Sequence, residues 1–216
     1  MPFTTVQNNQ PAPNMRLVKG DVEIVNFDIT QTPHQYLAQY AVGYNIVLGN
    51  HHPQLNALSF DDILTPDHGI TFALINGDVS AALYYKRTKN LNRMSLVFMG
   101  VISLQEEGGL SSPMIAASFK AEKRKFGGDI MAKADVRILP DGDVNVASAK
   151  SFTRVGFYPT KQFLKTIQPA NMHLHLTSEP NKKAIRGLVL EATDKDLSEA
   201  SPRILSDWYE VANDNA

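Results

Sequence analysis

The 216-residue chain is 43% hydrophobic and 20% charged, the proportions of an ordinary globular domain long enough to bury a core without staples, and not those of a disordered chain. Its formal net charge of −1 provides no basic field to hold a polyanion, which argues against nucleic acid as a partner. It has no cysteine, so disulfides, thiolate metal sites and cysteine nucleophiles are excluded.

Residues 1–14 are polar and proline-bearing and read as a flexible arm. The arm lacks a basic stretch followed by an apolar one, so no secretory signal is expected. No apolar run in the chain approaches the roughly 20 residues that cross a bilayer. A cytoplasmic protein without a membrane partner is the expectation. From Met15 onward, Leu17, Val22, Ile24, Val25, Phe27 and Ile29 predict one or two strands with a turn at Lys19-Gly20-Asp21. Thr32 as cap and Pro33 as first helical residue predict a helix start. Tyr36, Leu37, Tyr40, Tyr44 and Val47 continue it, and Gly49-Asn50 is its expected end. A short second helix is expected around residues 55 to 64.

Two apolar runs, 70 to 75 and 79 to 85, flank Asn76-Gly77. Asn-Gly accepts positive φ at both central positions, so this is a hairpin signal. The run 94 to 104, MSLVFMGVISL, is nearly continuous in apolar residues and predicts a strand buried on both faces. Residues 105 to 129 then supply a glycine-rich loop, Ser112 as cap, Pro113 as first helical residue, an apolar-faced helix and a Gly127-Gly128 stop. The basic stretch within that helix, KAEKRK at 120–125, reads as a solvated face. Further strands are expected at 130 to 139, near 160 to 167, at 172 to 176 and at 185 to 190. A terminal helix is expected at 202 to 212, capped by Ser201, with Ile204, Leu205, Trp208 and Tyr209 on one side. The order gives an α/β (α+β) chain with a mixed sheet flanked by helices.

Two local patterns carry more than fold class. Gln105-Glu106-Glu107-Gly108-Gly109-Leu110 closes a strand and opens a helix. A helix start presents free backbone N–H groups and a partial positive charge, and glycines before it let the backbone close on an anion. Arg124-Lys125-Phe126-Gly127 has a similar form but no evident helix start after it. The second pattern is NVASAKSFTRVGF, residues 145 to 157, with Asn145, Ser148, Phe152, Gly156 and Phe157 at fixed offsets. Asn145 also reads as an ordinary helix N-cap.

The element order and these two patterns, over roughly residues 15 to 180, resemble the GNAT superfamily of N-acetyltransferases. In that family the first pattern is Q/R-x-x-G-x-G/A. Gln105 and Gly108 match it and Leu110 departs from its last small position. The resemblance implies a mixed, mostly antiparallel sheet and acetyl-CoA as acyl donor to an amine acceptor. It implies pyrophosphate at Gln105, Gly108, Gly109, Leu110 and Ser111. The pantetheine arm would lie where two strands part, against backbone groups of Val101, Ile102, Ser103 and Leu104. Asn145, Ser148 and Phe152 would border it, with Asn145 either reaching the cofactor or capping its helix. The usual strand glutamate is replaced by Ser95, and the usual helix tyrosine by Phe152. Tyr158 and Ser148 are therefore the candidate catalytic residues, with Ser151, Glu106 and the His51-His52 pair as other substitutes. His173-x-His175 has no third ligand near it in sequence, so no metal is expected.

The domain reading is a flexible arm at 1–14, an acyl-CoA-binding domain at 15–192, and a C-terminal helix and tail at 193–216. The functional reading is an acyl-CoA-dependent N-acetyltransferase. The alternative is a non-catalytic binding or assembly protein on the same fold, as occurs among bacterial and phage-encoded copies. Its C-terminal helix would then dock a protein partner or a second copy.

Overall fold

A computed structural model describes residues 11–51, 65–90, 92–103, 109–137, 145–167 and 183–212. Strands β1 (Met15–Lys19) and β2 (Val22–Asp28) form a hairpin, with Gly20 at φ 61° in its turn. Helix α1 (His34–His51) follows a single 3-10 turn. The Thr32 hydroxyl does not cap it but donates to the Asp28 carbonyl at 3.1 Å. The helix also runs past Gly49-Asn50. The second short helix expected at 55 to 64 lies outside the described residues. Strands β3 (His68–Ile75) and β4 (Asp78–Asn90) join through Asn76 (φ 53°) and Gly77 (φ 86°), the two positive-φ residues that the Asn-Gly signal predicts.

Next come β5 (Arg93–Ser103), α2 (Ser111–Phe126), β6 (Asp129–Arg137), α3 (Val146–Arg154), β7 (Tyr158–Ile167), β8 (Lys183–Ala192), α4 (Asp194–Ile204) and β9 (Tyr209–Glu210). The described strands form one sheet in the order β7-β8-β6-β5-β4-β3-β2-β1-β9. The β5–β6 pair is parallel and the other recorded pairs are antiparallel. This is the mixed, mostly antiparallel sheet expected.

Alternation along the strands sends two sets of side chains to opposite faces. On one face Leu83, Leu96, Phe98, Met114, Phe152 and Leu197 belong to a core beneath α2, α3 and α4. On the other, Val25, Phe27, Ile70 and Phe72 pack with Leu37 and Tyr40 of α1. The β5 strand is not buried on both faces: Met94, Leu96 and Phe98 are buried, whereas Ser95 and Val97 between them are only half covered.

Two further expectations need correction. The cap of α2 is Leu110, with no side-chain cap bond, and Pro113 sits in the first turn without opening it. Ser112 cannot cap because its hydroxyl donates to the Ser151 carbonyl at 3.0 Å, tying α2 to α3. The C-terminal helix is α4, not 202 to 212. Thr193 and Asp196 form a reciprocal capping box that starts it, and Pro202 falls in its last turn, not its first. Tyr209 and Glu210 instead pair with Val18 and Leu17 at the sheet edge. Strand β9 thus follows β8, the strand expected at 185 to 190. The stretch 172 to 176 lies outside the described residues. No helix among the described residues is long and apolar enough to cross a membrane.

Candidate functional site

Parallel pairing of β5 with β6 runs from Arg93↔Asp129 to Phe98↔Ala134 and stops there. Strand β5 continues to Ser103 on β4 alone, through Leu83↔Val101, Ala82↔Ile102 and Ala81↔Ser103. Strand β6 continues to Arg137 on β8 alone. The two inner edges therefore part while each strand keeps its outer partner. A bulge lies at the same point: Tyr84 opposes Gly100 and Tyr85 opposes Phe98, so Met99 is the extra residue. A bulge bends its strand and sharpens the local twist, which turns the end of β5 away from β6. Along the inner edge of residues 99–103, no described strand takes up the backbone N–H and C=O groups.

Aromatic packing holds the floor of this opening. Phe98 lies 6.0 Å from the Phe152 ring and 6.0 Å from the Phe157 ring, and the last two are 5.0 Å apart. Phe152 is only 2% exposed and is part of the core. Gly156 sets this up. It has φ 95°, and a Cβ there would meet the Asp196 carbonyl oxygen at 3.0 Å, so only glycine fits without strain.

At the start of α2, Gly109 has φ 100° and Leu110 and Ser111 follow. The first turn has neither a side-chain cap nor an acidic residue. Among the described residues no side chain caps its first N–H groups, which lie at the positive end of the helix dipole. Helix α3 lies alongside through Ser112 and Ser151 and reaches β5 through Phe152. Asn145 caps α3, its Oδ1 accepting from the Ser148 N–H at 3.1 Å. Of the two roles open to Asn145, capping is the one its side chain performs here. Ser148 stands half-buried in the first turn of α3, and the Ser151 hydroxyl donates to the Ala147 carbonyl.

Helix α3 thus links the start of α2, through Ser112 and Ser151, to Phe98 at the end of the β5–β6 pairing, through Phe152. Tyr158 stands apart. It begins the edge strand β7, is 45% exposed, and has β8 and β6 between it and β5. Leu104, Gln105, Glu106, Gly108, His52, His173 and His175 lie outside the described residues. The competing anion loop is a helix end: Gly127 C-caps α2 in the left-handed region and Arg124 pairs with Glu210. No group of three metal-ligating side chains occurs among the described residues.

The basic stretch is not a free solvated face. Lys120 and Arg124 pair with Glu210 at 3.0 and 2.6 Å, Lys123 with Asp194 at 2.7 Å, and Lys125 with Asp28 at 2.7 Å. Beneath it lies a buried polar network that the sequence did not advertise. The Tyr85 hydroxyl donates to Glu122 at 2.7 Å and accepts from the Asn26 amide at 2.9 Å, while Arg87 donates to Glu122 at 2.8 Å. Burial first, and then the Glu122 carboxylate, push the Tyr85 phenol well above its ordinary range, so it remains a donor. A groove of about 460 Å³ between α2 and α4, lined by Phe119, Lys123, Ser201 and Leu205 among others, opens at this far end of α2. One further carboxylate, Asp135 on β6, sits one residue beyond the last β5–β6 pair. Its signal was available in the buried alternation Ile130, Ala132, Ala134, Val136, which sends Asp135 to the other face.

No protein-family model matches the chain, and no curated protein matches it. Solved structures do. A RimJ from Mycobacterium smegmatis in complex with CoA-disulfide shares 13% identity, covers 90% of this chain and 96% of its own, and superposes with a TM-score of 0.56. An acetyltransferase of the GNAT family from Bacillus anthracis shares 10% identity, with 84% and 99% coverage and a TM-score of 0.52. An Arabidopsis thaliana structure in complex with the bisubstrate analogue CoA-Ac-MVNAL shares 14% identity, with 80% and 98% coverage and a TM-score of 0.50. At these identities the likeness is one of fold: the chain has the GNAT fold across most of its length.

Proposed function

We propose that the chain binds acetyl-CoA in the opening between β5 and β6 and transfers its acetyl group to an amine. The observation that carries this reading is the parting of the two strands after Phe98 and Ala134, on a GNAT fold whose helix α2 starts without a side-chain cap. Two of the similar structures contain a CoA moiety, which supports the same ligand class here. In this reading the pyrophosphate takes the N–H groups of Gly109, Leu110 and Ser111, with Gln105 and Gly108 completing the loop. The pantetheine amides pair with the inner backbone edge of Val101, Ile102, Ser103 and Leu104. The thioester then lies at the parting, where a β5 N–H polarises its carbonyl oxygen. Transfer is direct, within a ternary complex. Ser148, in the first turn of α3, would relay a proton through water, and Tyr158 would require the acceptor to extend toward β7.

Calorimetric titration with acetyl-CoA tests the reading. Saturable one-site binding is expected, with loss of binding on Gly108→Asp, which places a carboxylate where the phosphates belong. Absence of heat at millimolar acetyl-CoA ends the proposal. A second reading has one observation of its own: the buried Phe152 ring, which cannot donate a proton to the departing thiolate. It makes the chain a non-catalytic acyl-CoA-binding or assembly protein. Binding of acetyl-CoA without release of free thiol over a panel of amines would favour it.

A further inference from the structure

An amine reaches the enzyme mostly as its ammonium ion, and attack on a thioester requires that proton to leave first. The β5 strand offers Ser95 where the family resemblance has a glutamate. A carboxylate nevertheless stands at the opening, on the neighbouring strand. Asp135 follows Ala134, the last β6 residue paired with β5. Ala134 and Val136 are each 1% exposed in the core beneath α2, so strand alternation sends Asp135 to the opposite face. The parallel register puts Ser95 and Val97 of β5 on that face, through Ser95↔Met131 and Val97↔Lys133. Asp135 is half-buried, and its Oδ1 has lost contact with solvent. Its partner on β8 is the buried Val189, and the charged groups sharing the face include Lys133, Glu191 opposite Lys133, Lys161 beyond Val189, Asp129 with Arg93 opposite it, and Lys86 of β4 opposite Val97.

We propose that Asp135 is the catalytic residue that receives the acceptor's ammonium group and takes its proton. The inference rests on the acetyl-CoA reading given above. With the phosphates at the start of α2, on one face of the sheet, the thioester carbonyl in the opening is approached from the other face, and that is the face of Asp135. The ammonium gives one proton to the Asp135 carboxylate, and the freed lone pair forms the C–N bond to the carbonyl carbon. The C–S bond then breaks. The departing sulfur takes the second N–H proton, leaving a neutral amide and free CoA thiol, and Asp135 returns its proton to solvent.

The test needs no knowledge of the acceptor. S-(2-aminoethyl)-CoA and S-propyl-CoA are close in size and differ by an ammonium in place of a methyl group beyond the sulfur. Their affinities are compared by calorimetry in the wild type and in Asp135→Asn, Asp135→Glu and Glu191→Gln. The ammonium analogue is expected to bind the wild type roughly tenfold more tightly, the worth of one charge-assisted hydrogen bond. That preference should vanish in Asp135→Asn while S-propyl-CoA binds as before. It should persist in Asp135→Glu and in Glu191→Gln. Equal affinities in the wild type, or a preference undiminished in Asp135→Asn, overturn the inference and leave the acetyl-CoA reading standing. Failure of both analogues and of acetyl-CoA itself to bind the wild type removes that reading, and the inference falls with it.

Discussion

The two ends of α2 are built on opposite principles. Its start has Leu110 in the cap position, no side-chain cap bond and no acidic residue in the first turn. Its last two turns are saturated. Glu122 is held by Tyr85 and Arg87, the four cations from Lys120 to Lys125 each have a carboxylate, and Gly127 closes the helix by donating to the Lys123 carbonyl. A helix end left without partners is a cost in a purely structural element. Here the saturated end anchors the helix to β2, β4, α4 and β9, so the other end can stay open without loosening the fold. The difference separates stability from binding along a single helix, and each end can be altered to test the separation.

The largest effect is expected at Glu122. It is 1% exposed and faces an Arg87 side chain that is itself only 13% exposed. Removing the carboxylate leaves a guanidinium and a phenol facing a void, a change that costs about 3–5 kcal/mol when one partner of a buried pair is lost. Arg87 retains Asp28 as a second partner, which places the loss toward the lower end of that range. Urea denaturation of Glu122→Ala should show it, with acetyl-CoA affinity of the folded fraction unchanged. A loss below about 1 kcal/mol would mean that the network is not what anchors the helix.

Less of this contrast was legible in the sequence than of the fold around it. The Asn76-Gly77 hairpin, the Gly127 stop and the Asn145 cap rest on chemistry local to a few residues, and each stands where it was read. The saturated end of α2 depends on partners such as Glu210, Asp194 and Asp28, far away in the chain, so its cations read as a solvated face. Pro202 resembles a helix-opening residue but lies in the last turn of α4. The better signal was Thr193 with Asp196 three positions on. A two-residue edge strand such as β9 has no periodicity to read. At the opening, the bulge at Met99 has no side-chain signature, and most of the glycine loop lies outside the described residues.

A smaller effect, with a defined pH window, is expected at Glu210. Hydrogen bonding from Arg124 first, and then from Lys120, holds its carboxyl at about 2, below the ordinary 4.5 and against partial burial. The folded state thus binds this proton more weakly than the unfolded chain does. The stabilisation is fully present above pH 4.5 and is lost as pH falls from there toward 2. Both pairs are partly solvated, so about 1 kcal/mol is involved at neutral pH. Glu210→Gln should lower stability by that amount at pH 7, and its stability should depend less on pH than the wild type's below 4.5. Denaturant midpoints measured across that range check it. Parallel curves for the two proteins would show that β9 is held by its ladder with β1 and not by its charges.

The smallest change in stability carries the sharpest contrast, because it should oppose its effect on binding. Ser111→Asp puts a carboxylate in the first turn of α2, which has none. A negative charge there interacts favourably with the helix dipole and with the first-turn N–H groups, a gain of roughly 0.3–1 kcal/mol. If the same N–H groups hold a pyrophosphate, the new carboxylate competes for them and repels the ligand. Acetyl-CoA affinity should then fall at least tenfold, which corresponds to about 1.4 kcal/mol, while the melting temperature rises. A variant that is less stable and binds less tightly has merely damaged the helix. A variant that is more stable and binds as before would show that the open start of α2 does not receive the phosphates. Only a gain in stability together with a loss of binding marks the bare end as one kept open for an anion, and high salt should reduce both effects, since both act through charge at a solvent-facing helix end.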